Sequence, residues 1–493
     1  MREKMSTLVQ EMIKAGKVIK SFSGEIRVVS HYDADGITSG AIMTRALARE
    51  GKNFHLSLVN QLSEELLEDL GREGRRLIIF TDLGSGYLDS IQKYLTSSQG
   101  TKVIIIDHHQ VEGELKSKDV IHINSEEFGI TENISGSGMS YLLARAMNPI
   151  NKDLSQLAII GAIGDSQVGS IGEKWGLIGL NKEILKDAET TGKIEVSRGL
   201  RLWGRYTRPI HKTLQYSVDP YIPGISGSES ASVQFLQEIG IELKDNNGKR
   251  WRTLADLTDE ENKKLASGII AERIKGDHAN PEWIFGDVYE LLDKGGEMRD
   301  ANEFATILNA CGKMGKAYMG IAFCLNDAGQ EEAMKMLESY RRQIGKAMAW
   351  VQKNPSCVRN TDNAVYIFGG SSISEHIISN VVSIINKSCL EIGEAKDICK
   401  KPVFAFADTE EGAVKVSARV SDDLVEKGID LKEMLVRVTS DIGGEGGGHK
   451  GAAGARISKG DEDKFISSVE KMLLEKNNDG QEKDLNKTEQ KHR

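Results

Sequence analysis

Acidic and histidine residues recur in four short clusters within the first 165 residues, each at the end of an apolar stretch. The clusters are His31-Tyr32-Asp33-Ala34-Asp35-Gly36, Thr81-Asp82, Asp107-His108-His109 and Gly164-Asp165. Carboxylates and imidazoles brought to one edge of a parallel sheet can hold two divalent cations, and such a pair hydrolyses phosphate esters. The residue types and their positions therefore predict a metal-dependent phosphoesterase.

The apolar segments before these clusters are typical of strands in a parallel sheet. Segments 77–80 and 103–106 are continuous apolar runs, as expected for strands that helices cover on both faces. Segment 26–30 is a third β-prone run, and residues 38–49 after it have the pattern of a helix. In open α/β sheets ligands bind beyond the carboxyl ends of the strands, where the first three clusters fall. The fourth cluster ends segment 157–163, which fits a buried helix or a strand equally well.

The chemistry of the clusters also indicates which metal they would hold. A single acid at a strand end often caps a helix or forms a turn, but several unpaired carboxylates together repel one another unless a cation lies between them. Carboxylates suit hard ions and imidazoles favour first-row ions, so the mixed set predicts two divalent cations, with Mn²⁺ preferred and Mg²⁺ or Co²⁺ as substitutes. Zinc held by cysteine is not expected, because the five cysteines form no CxxC pair and lie far from the clusters in sequence. They are Cys311, Cys324, Cys357, Cys389 and Cys399.

The motifs also carry a family resemblance. In order, HYDADG, TDLG, DHH and GD resemble the four motifs of the DHH phosphoesterase superfamily. The segment Gly446-Gly447-Gly448-His449-Lys450-Gly451-Ala452-Ala453-Gly454 resembles the GGGHxxAAG signature of the superfamily's second domain, DHHA1. Within the superfamily the sequence is most similar to RecJ and to the archaeal RecJ-like proteins that include the GINS-associated nuclease. The resemblance covers residues from about 20 to 475.

This resemblance implies a role for each residue of the clusters. Six would be metal ligands: Asp33 and His31 at the first metal, Asp35, His108 and Asp165 at the second, and Asp82 as the bridge. Bacterial RecJ proteins carry Asp at the position of His31. His109 would face the scissile phosphate, where it would stabilise negative charge or protonate the leaving oxygen. Asp107 would orient the imidazoles.

A basic segment after the first domain is a candidate for substrate binding. Residues 197–212 contain Arg201, Arg205 and Arg208, interleaved with Trp203 and Tyr206, and no acid. Cations mixed with aromatic rings suit a groove for single strands, because rings stack on bases while cations follow the phosphate backbone. The alternative is an amphipathic connector that packs Leu202 and Trp203 inward and leaves its charges in water.

The glycine-rich segment near the end of the chain is a second candidate. Glycines let backbone N–H groups approach an anion closely, so Gly446, Gly447 and Gly448 predict a tight substrate-binding turn before His449. Residues 414–419 alternate like a strand that ends in Arg419. In DHHA1 relatives an arginine at this place and the histidine of the glycine motif hold the nucleotide end of the substrate. The resemblance therefore implies this role for Arg419 and His449.

The length of 493 residues allows two or three domains, and the expected fold class is α/β. We expect an N-terminal DHH domain with a largely parallel sheet covered by helices, a helical insertion, and a C-terminal DHHA1 α/β domain. The expected boundaries are 1–195 for DHH, 196–225 for the basic connector, 226–290 for the charged insertion, 291–475 for DHHA1 and 476–493 for a disordered tail. In GINS-associated relatives an inserted region docks a replication partner.

Composition adds few constraints. The net charge of −9 does not exclude a nucleic-acid partner, because phosphate binding depends on local basic patches. No apolar run approaches the length of a membrane-spanning helix, so no membrane partner is expected. The odd, scattered cysteine count predicts reduced thiols in the cytoplasm.

The expected function is exonucleolytic removal of nucleotides from single-stranded DNA during replication or repair, from the 5′ end as in RecJ-like relatives, with RNA as a further substrate. Three alternatives remain open. Two are enzymes with the same motifs, a nanoRNase-like hydrolase of short oligonucleotides and a cyclic-dinucleotide phosphodiesterase. The third is an inactive subunit that binds GINS or another replisome protein. The chain length and the insertion favour a polymeric substrate, and the complete motifs argue against an inactive subunit.

Overall fold

The computed structural model of the chain describes residues 2–96, 100–130, 134–171, 174–217, 220–276, 280–326, 329–388, 392 and 398–491. Its internal contacts divide the chain into two units. The first comprises Met1–Gln215 and Glu229–Glu338, and the second comprises Tyr216–Ser228 and Ser339–Arg493. We describe each unit by itself.

The first unit alternates strands and helices in its N-terminal half and is mainly helical afterwards. Its described strands are β1 Ile26–His31, β2 Phe54–Val59, β3 Leu77–Thr81, β4 Lys102–Asp107, β5 Val120–Asn124, β6 Val168–Ile171, β7 Lys174–Leu177, β8 Ile194–Leu200 and β9 Phe285–Leu291. Its described helices are α1 Arg2–Ser21, α2 Ala34–Arg49, α3 Glu64–Arg72, α4 Leu88–Ile91, α5 Gly136–Met147, α6 Ser155–Gly164, α7 Gly179–Thr190, α8 Ile210–Gln215, α9 Glu229–Glu238, α10 Asp259–Lys275, α11 Ala301–Lys313 and α12 Ala317–Asn326. Helix α13, Gln330–Lys353, crosses into the second unit.

A five-stranded parallel sheet forms the centre of the first unit, in the order β2-β1-β3-β4-β5. One face packs against α3 and α4 through a cluster that includes Val29, Phe80 and Ile105. Helices α2 and α5 contact the strands as well, and α5 and α6 both pack against α2. Burial on both faces explains why β3 and β4 are apolar at nearly every position, and it confirms the expectation of a parallel sheet covered by helices.

Two antiparallel ribbons follow the sheet. Strand β6 pairs with β7, and β8 pairs with β9, so the start of the predicted basic connector is joined to residues near position 290. Helices α11 and α12 then pack against α2 and α6 of the first unit. The predicted start of the second domain at residue 291 therefore lies inside the first unit. Sequence pattern did not reveal this boundary, because the apolar face of α11 fits any core equally well.

The second unit contains a six-stranded mixed sheet in the order β10-β11-β12-β13-β15-β14. Its strands are β10 Val358–Asn360, β11 Val365–Gly370, β12 Val403–Asp408, β13 Ala413–Arg419, β14 Glu445–Gly448 and β15 Ala452–Ser458. Its described helices are α14 Ile378–Ser388, α15 Asp422–Glu426, α16 Leu431–Ile442 and α17 Glu462–Lys491. The core contains Tyr366, Phe404 and Phe465, with rings in stacked and edge contacts. The predicted α/β character of this region is confirmed.

Two local predictions differ from the structure. The glycine run is not a turn: Gly446, Gly447 and Gly448 lie in the edge strand β14, and the turn begins at His449. Glycine permits a turn but does not require one, and pairing with β15 satisfies the backbone instead. The polar segment after residue 476, predicted to be disordered, continues α17 to Lys491.

Among the described residues, Cys311 and Cys357 are buried free thiols, and Cys324 is buried as well. Cys389 and the side chain of Cys399 lie outside the described residues. No helix in the described part of the chain combines the length and apolar character needed to cross a membrane.

Candidate metal centre

The carboxyl ends of three adjacent strands of the parallel sheet bring most of the predicted ligands together. β1 ends at His31, and the turn that follows provides Asp33 as the N-cap of α2. β3 is followed at once by Asp82, and β4 ends in the Asp-His-His motif. Asp165 does not follow a strand. It is the C-cap residue of helix α6. The structure thus decides that segment 157–163 is a helix.

The ligand atoms form three overlapping groups, and within each group they all lie within 4.8 Å of one another. The groups are His31 with Asp33 and Asp82; Asp35 with His108 and Asp165; and Asp82 with Asp107, His108 and His109. Asp82 belongs to the first and third groups, and His108 belongs to the second and third. The arrangement is therefore two centres joined through Asp82 and His108.

Asp82 is the residue at which the two centres meet. Its side chain is 1 % exposed, and neither carboxylate oxygen has a hydrogen-bond partner among the described residues. Oδ1 lies 3.3 Å from His108 Nε2, and Oδ2 lies 3.7 Å from His31 Nδ1. The backbone of Asp82 has φ of 59°, a left-handed conformation that is rare outside glycine. A Cβ atom at Gly136 would lie 2.2 Å from Asp82 Oδ1, so only glycine leaves room for this carboxylate.

Asp35 is held by the start of α5. Its two oxygens accept hydrogen bonds from the backbone N–H groups of Gly136 and Ser137 at 2.7 and 3.0 Å. Donors at a helix N-terminus stabilise a negative charge. His108 Nε2 lies 3.6 Å from Asp35 Oδ2 and 3.8 Å from Asp165 Oδ2, yet it is buried without a hydrogen-bond partner among the described residues.

The acids and imidazoles shift one another's pKa values. Burial raises the pKa of Asp35, and the neighbouring charges of Asp82 and Asp165 raise it further. Burial alone would lower the pKa of His108, but its contact with Asp82 and the charge of Asp165 outweigh burial and raise it well above the ordinary value. Burial alone would also lower the pKa of His31, but the charge of Asp33 outweighs burial and raises it well above the ordinary value. Such strong mutual perturbation is typical of functional sites.

Asp107 and His109 form a separate pair. Asp107 Oδ1 accepts hydrogen bonds from the backbone N–H groups of His108 and His109, at 2.8 and 3.2 Å, and lies 2.8 Å from His109 Nδ1. Its other oxygen accepts from the backbone N–H of Ser85. Burial alone would raise the pKa of Asp107, but the charge of His109 and its hydrogen bond lower it below the ordinary range. With both oxygens engaged, Asp107 is placed to orient His109.

Divalent cations fit the donor set that these residues provide. Both oxygens of Asp82, Nδ1 of His31 and Nε2 of His108 are buried polar atoms without hydrogen-bond partners in the described structure. Leaving such groups without partners is costly, and carboxylates close together repel one another. Metal ions would provide partners for the buried atoms and would neutralise the repulsion between the carboxylates. Their ligands would be oxygen and imidazole nitrogen, with no thiolate. The residues thus suit two ions of the kind predicted from the sequence.

Sequence reasoning missed the residues that support the ligands. Asn309 of α11 accepts a hydrogen bond from the backbone N–H of Ala34 at 2.9 Å, and its amide nitrogen lies 3.4 Å from the carbonyl oxygen of Gly164. Gln167 donates to Asp165 Oδ2 at 2.8 Å. Lys313 donates to the hydroxyl of Tyr32 at 2.9 Å. Helix α11 carries several polar residues, and nothing in the sequence distinguished Asn309 from the others or indicated its partner.

The predicted substrate-binding residues of the second unit share one end of its sheet. Arg419 is in register with Ala452, and Ala452 exchanges two backbone hydrogen bonds with His449. Arg419 donates to Ser383 Oγ and to the carbonyl oxygen of Ala418, both at 2.8 Å. No carboxylate among the described residues pairs with it, and burial lowers its pKa to about 10. A half-buried guanidinium without a counter-charge suits an anionic ligand.

The three arginines of the basic segment lie after strand β8 of the first unit. The Arg201 guanidinium carbon lies 3.9 Å from the ring centre of Trp175, and the side chain donates to the carbonyl oxygen of Trp283. Leu202 is buried, whereas Trp203 is 48 % exposed. The alternative of an amphipathic connector predicts that both side chains pack inward. This is correct for Leu202 but wrong for Trp203. Arg205 and Arg208 lie in the loop between β8 and α8.

Comparison with known proteins agrees with the geometry. Three family models match: the DHH family, N-terminal domain over residues 25–162, the DHH-CID domain over 202–282, and the DHHA1 domain over 366–475. The uncharacterized protein MJ0831 of Methanocaldococcus jannaschii is 32 % identical over 488 residues, which cover 96 % of this chain and 99 % of that protein. The single-stranded-DNA-specific exonuclease RecJ of Thermus thermophilus is 27 % identical over 207 residues, 40 % of this chain and 28 % of that protein.

Solved structures share the fold. The crystal structure of Thermus thermophilus RecJ in complex with Mn²⁺ matches with a TM-score of 0.57 and 18 % identity, over 95 % of this chain and 55 % of that one. The chain thus spans about half of the RecJ structure. CDC45 from Entamoeba histolytica matches with a TM-score of 0.62 and 12 % identity, over 95 % of this chain and 99 % of that one. These two likenesses show the fold. The matched domains and the full-length relative establish that the chain belongs to the RecJ-like DHH–DHHA1 family of metal-dependent phosphodiesterases and nucleases.

Proposed function

We propose that this chain is a single-strand-specific exonuclease that removes nucleotides from DNA in the 5′ to 3′ direction, in replication or repair, with RNA as a further substrate. The observation that carries the proposal is Asp82, a buried carboxylate without hydrogen-bond partners between two groups of ligands. When bound, two divalent cations would polarise the scissile phosphate and acidify the attacking water. Mn²⁺ is the proposed preference, because imidazoles accompany the carboxylates.

Each side chain then has a definite task. His31, Asp33 and Asp82 would hold one cation, while Asp35, His108, Asp165 and Asp82 would hold the other. The backbone donors of α5 fix the orientation of Asp35. Asp107 fixes the ring of His109 through Nδ1, and His109 would stabilise negative charge on the phosphate or protonate the leaving oxygen.

We propose that the second unit holds the nucleotide end of the strand. Arg419 would contact a phosphate, and His449, with the strand of Gly446, Gly447 and Gly448, would line the same place. The common position of Arg419 and His449 at one sheet end supports this role, as does the lack of a carboxylate partner for Arg419 within the described residues.

For Arg201, Arg205 and Arg208 we propose contacts along the phosphate backbone of the strand, although the bonds of Arg201 to Trp283 equally suit a structural role. Replacing all three by Gln should weaken binding of single strands and flatten its salt dependence, by roughly 0.7 in the slope for each phosphate that is no longer neutralised. Hydrolysis of a dinucleotide should hardly change. An unaltered slope would assign these arginines to structure alone.

The decisive experiment follows end-labelled DNA and RNA strands incubated with the full chain and Mn²⁺, Mg²⁺ or Co²⁺. A ladder of products that shortens from the 5′ end of DNA would support the proposal, and EDTA should stop the reaction. Cleavage of only the shortest oligonucleotides would indicate a nanoRNase-like enzyme instead, and cleavage of cyclic dinucleotides alone would indicate a cyclic-dinucleotide phosphodiesterase.

A second candidate is a subunit without catalytic activity that binds GINS or another replisome protein. The fold likeness to CDC45 over nearly the whole of both chains favours it. The complete set of candidate ligands, with Asp35 and Asp82 fully buried, favours the enzyme, because a binding subunit has no need of them. If the chain bound Mn²⁺ but hydrolysed none of these substrates, the second candidate would replace the first.

A further inference from the structure

A buried chain of polar side chains lies beside the Asp107–His109 pair. Ser85 follows the turn after β3, and β5 supplies His122 and Asn124. Ser85 Oγ lies 2.9 Å from His122 Nε2, and Asn124 Nδ2 donates to Ser85 Oγ at 2.8 Å. Glu127 Oε1 lies 2.9 Å from His122 Nδ1. None of these four residues belongs to a ligand group of the described structure.

Glu127, His122 and Ser85 follow the order of the acid, imidazole and hydroxyl in a triad that activates a serine for attack. The contact between Glu127 and His122 is at ion-pair distance without hydrogen-bond geometry. Ser85 cannot act as a nucleophile here, because a substrate has no access to its hydroxyl. Ser85 is 0 % exposed, and its hydroxyl oxygen already accepts a hydrogen bond from Asn124. A reacting carbonyl or phosphate therefore cannot reach Oγ, and the chain of hydrogen bonds must serve another purpose.

Two residues of this chain, Ser85 and Asn124, contact the Asp-His-His motif. The backbone N–H of Ser85 donates to Asp107 Oδ2 at 2.9 Å. Asn124 Nδ2, which also donates to Ser85 Oγ, donates to the carbonyl oxygen of His109 at 2.7 Å. Ser85 and Asn124 thus fix the carboxylate that orients the His109 ring and also the backbone that carries it.

We propose that Ser85, His122 and Asn124 are positioning residues that act through His109. The proposal rests on the role of His109 in the proposed function. Asn124 holds the backbone of His109 directly, and the hydroxyl of Ser85, which lies beside His122, accepts from Asn124 and so fixes its amide. The backbone N–H of Ser85 holds Asp107. Loss of this support would leave metal binding intact but let the imidazole leave its productive orientation, and small displacements of a catalytic group are costly.

The test compares Ser85→Ala and Asn124→Ala in two backgrounds, the wild-type chain and His109→Ala. In the wild-type background we expect kcat on single strands to fall about ten- to hundredfold, with KM and bound Mn²⁺ nearly unchanged. In the His109→Ala background the same changes should have almost no further effect, because residues that act through one group are not additive. An equal fall in both backgrounds, a loss of metal, or no fall at all would overturn the proposal.

Surface variants keep the test valid if the buried ones fail to fold. Glu127→Gln weakens the contact with His122 from a position at the surface and should lower kcat several-fold, whereas the neighbouring exposed Glu126→Gln is the matched control and should not. Equal rates for these two variants would contradict the role of His122.

A spectroscopic measurement separates this proposal from the proposed function. In protein with nitrogen-labelled histidine and Mg²⁺, the ring signals of His109 should shift in Ser85→Ala and Glu127→Gln but not in Glu126→Gln. An inactive wild-type chain would refute the proposed function, while unshifted His109 signals would refute the positioning role whatever the activity.

Discussion

At the scale of single residues, Asp82 combines two properties that each cost free energy. A left-handed backbone costs a residue other than glycine roughly 1–2 kcal/mol. Burial without hydrogen-bond partners costs about 1–3 kcal/mol for a polar group and more for a charged one. Residues held in such states cluster at functional sites, where the surrounding structure maintains them. Asp82 is therefore placed for metal binding at the expense of stability.

The variant Asp82→Asn tests whether Asp82 contributes to metal binding at the expense of stability. Asn tolerates the left-handed conformation, so the backbone should be kept while the charge is lost. We expect less than about a tenth of the wild-type rate with Mn²⁺, because the group shared by both metal positions is gone. In EDTA the variant should be at least as stable as the wild type, since an unpaired buried charge has been removed.

Activity, metal content and the free energy of unfolding in EDTA would be measured together. Asp82→Ala is the matched variant: it should be equally inactive but less stable than Asp82→Asn, because Ala disfavours the left-handed conformation. Retention of more than about a tenth of the activity in Asp82→Asn would remove Asp82 from the bridging position.

At the scale of elements, α11 supports the metal centre from a distant part of the sequence. Its residue Asn309 binds the backbone at the first residue of α2 and lies near the carbonyl oxygen of Gly164, which precedes Asp165. Close to it, a Cβ atom at Gly312 would lie 2.1 Å from the carbonyl oxygen of Tyr32, so the helix approaches the first motif as closely as glycine allows. One helix thus fixes two ligand-bearing turns relative to each other.

We expect Asn309→Ala to lower the free energy of unfolding by about 1–3 kcal/mol, because it leaves a buried backbone N–H without its acceptor. It should also weaken Mn²⁺ binding, since the turns that carry Asp33 and Asp165 lose their common support. Isothermal titration and chemical denaturation would measure the two effects. Thr306→Ala on the same helix is the control, because its hydroxyl bonds only to the carbonyl oxygen of Asn302 in its own helix. Equal Mn²⁺ affinities for the two variants would contradict the supporting role.

At the scale of the whole molecule, metal binding should be visible as stability. Because the ligands repel one another in the apo chain, Mn²⁺ should raise the melting temperature, and an ion at about a hundred times its Kd adds about 2.7 kcal/mol. Thermal denaturation with Mn²⁺ and with EDTA would measure the shift. The shift should vanish in Asp82→Asn, and its persistence there would mean that the stabilising ions bind elsewhere.

The proposed roles of the two units, metal binding in the first and substrate binding in the second, give a further prediction. Arg419→Ala and His449→Ala should keep the Mn²⁺ content and the Mn²⁺-dependent melting shift of the wild type, because both residues lie outside the ligand groups. Hydrolysis of single strands should fall about tenfold or more, the scale of one charged hydrogen bond. Normal rates in both variants would mean that the second unit does not hold the substrate.

The sequence by itself predicted the residues that gather at the candidate metal centre and the sheet that carries them. Continuous apolar strands such as β3 and β4 are stable only when covered on both faces, and adjacent parallel strands must end at the same edge. The residues at the ends of those strands were therefore expected to lie close together. Asp82 shares one group with His31 and another with His108. The motifs likewise identified the DHH and DHHA1 domains, because the ligand and glycine patterns are local in the sequence.

The tertiary structure decided what local pattern leaves open. Segment 157–163 is a helix that is buried along its whole length, and this burial is why its apolar composition could not distinguish a helix from a strand. The glycine run became strand β14 because β15 offers it a pairing partner. Asn309 lies 275 residues after the Ala34 backbone that it holds, and Ser85 meets His122 only across the sheet. Such contacts depend on which surfaces pack together, and a single sequence specifies that choice only through the energy of the whole fold.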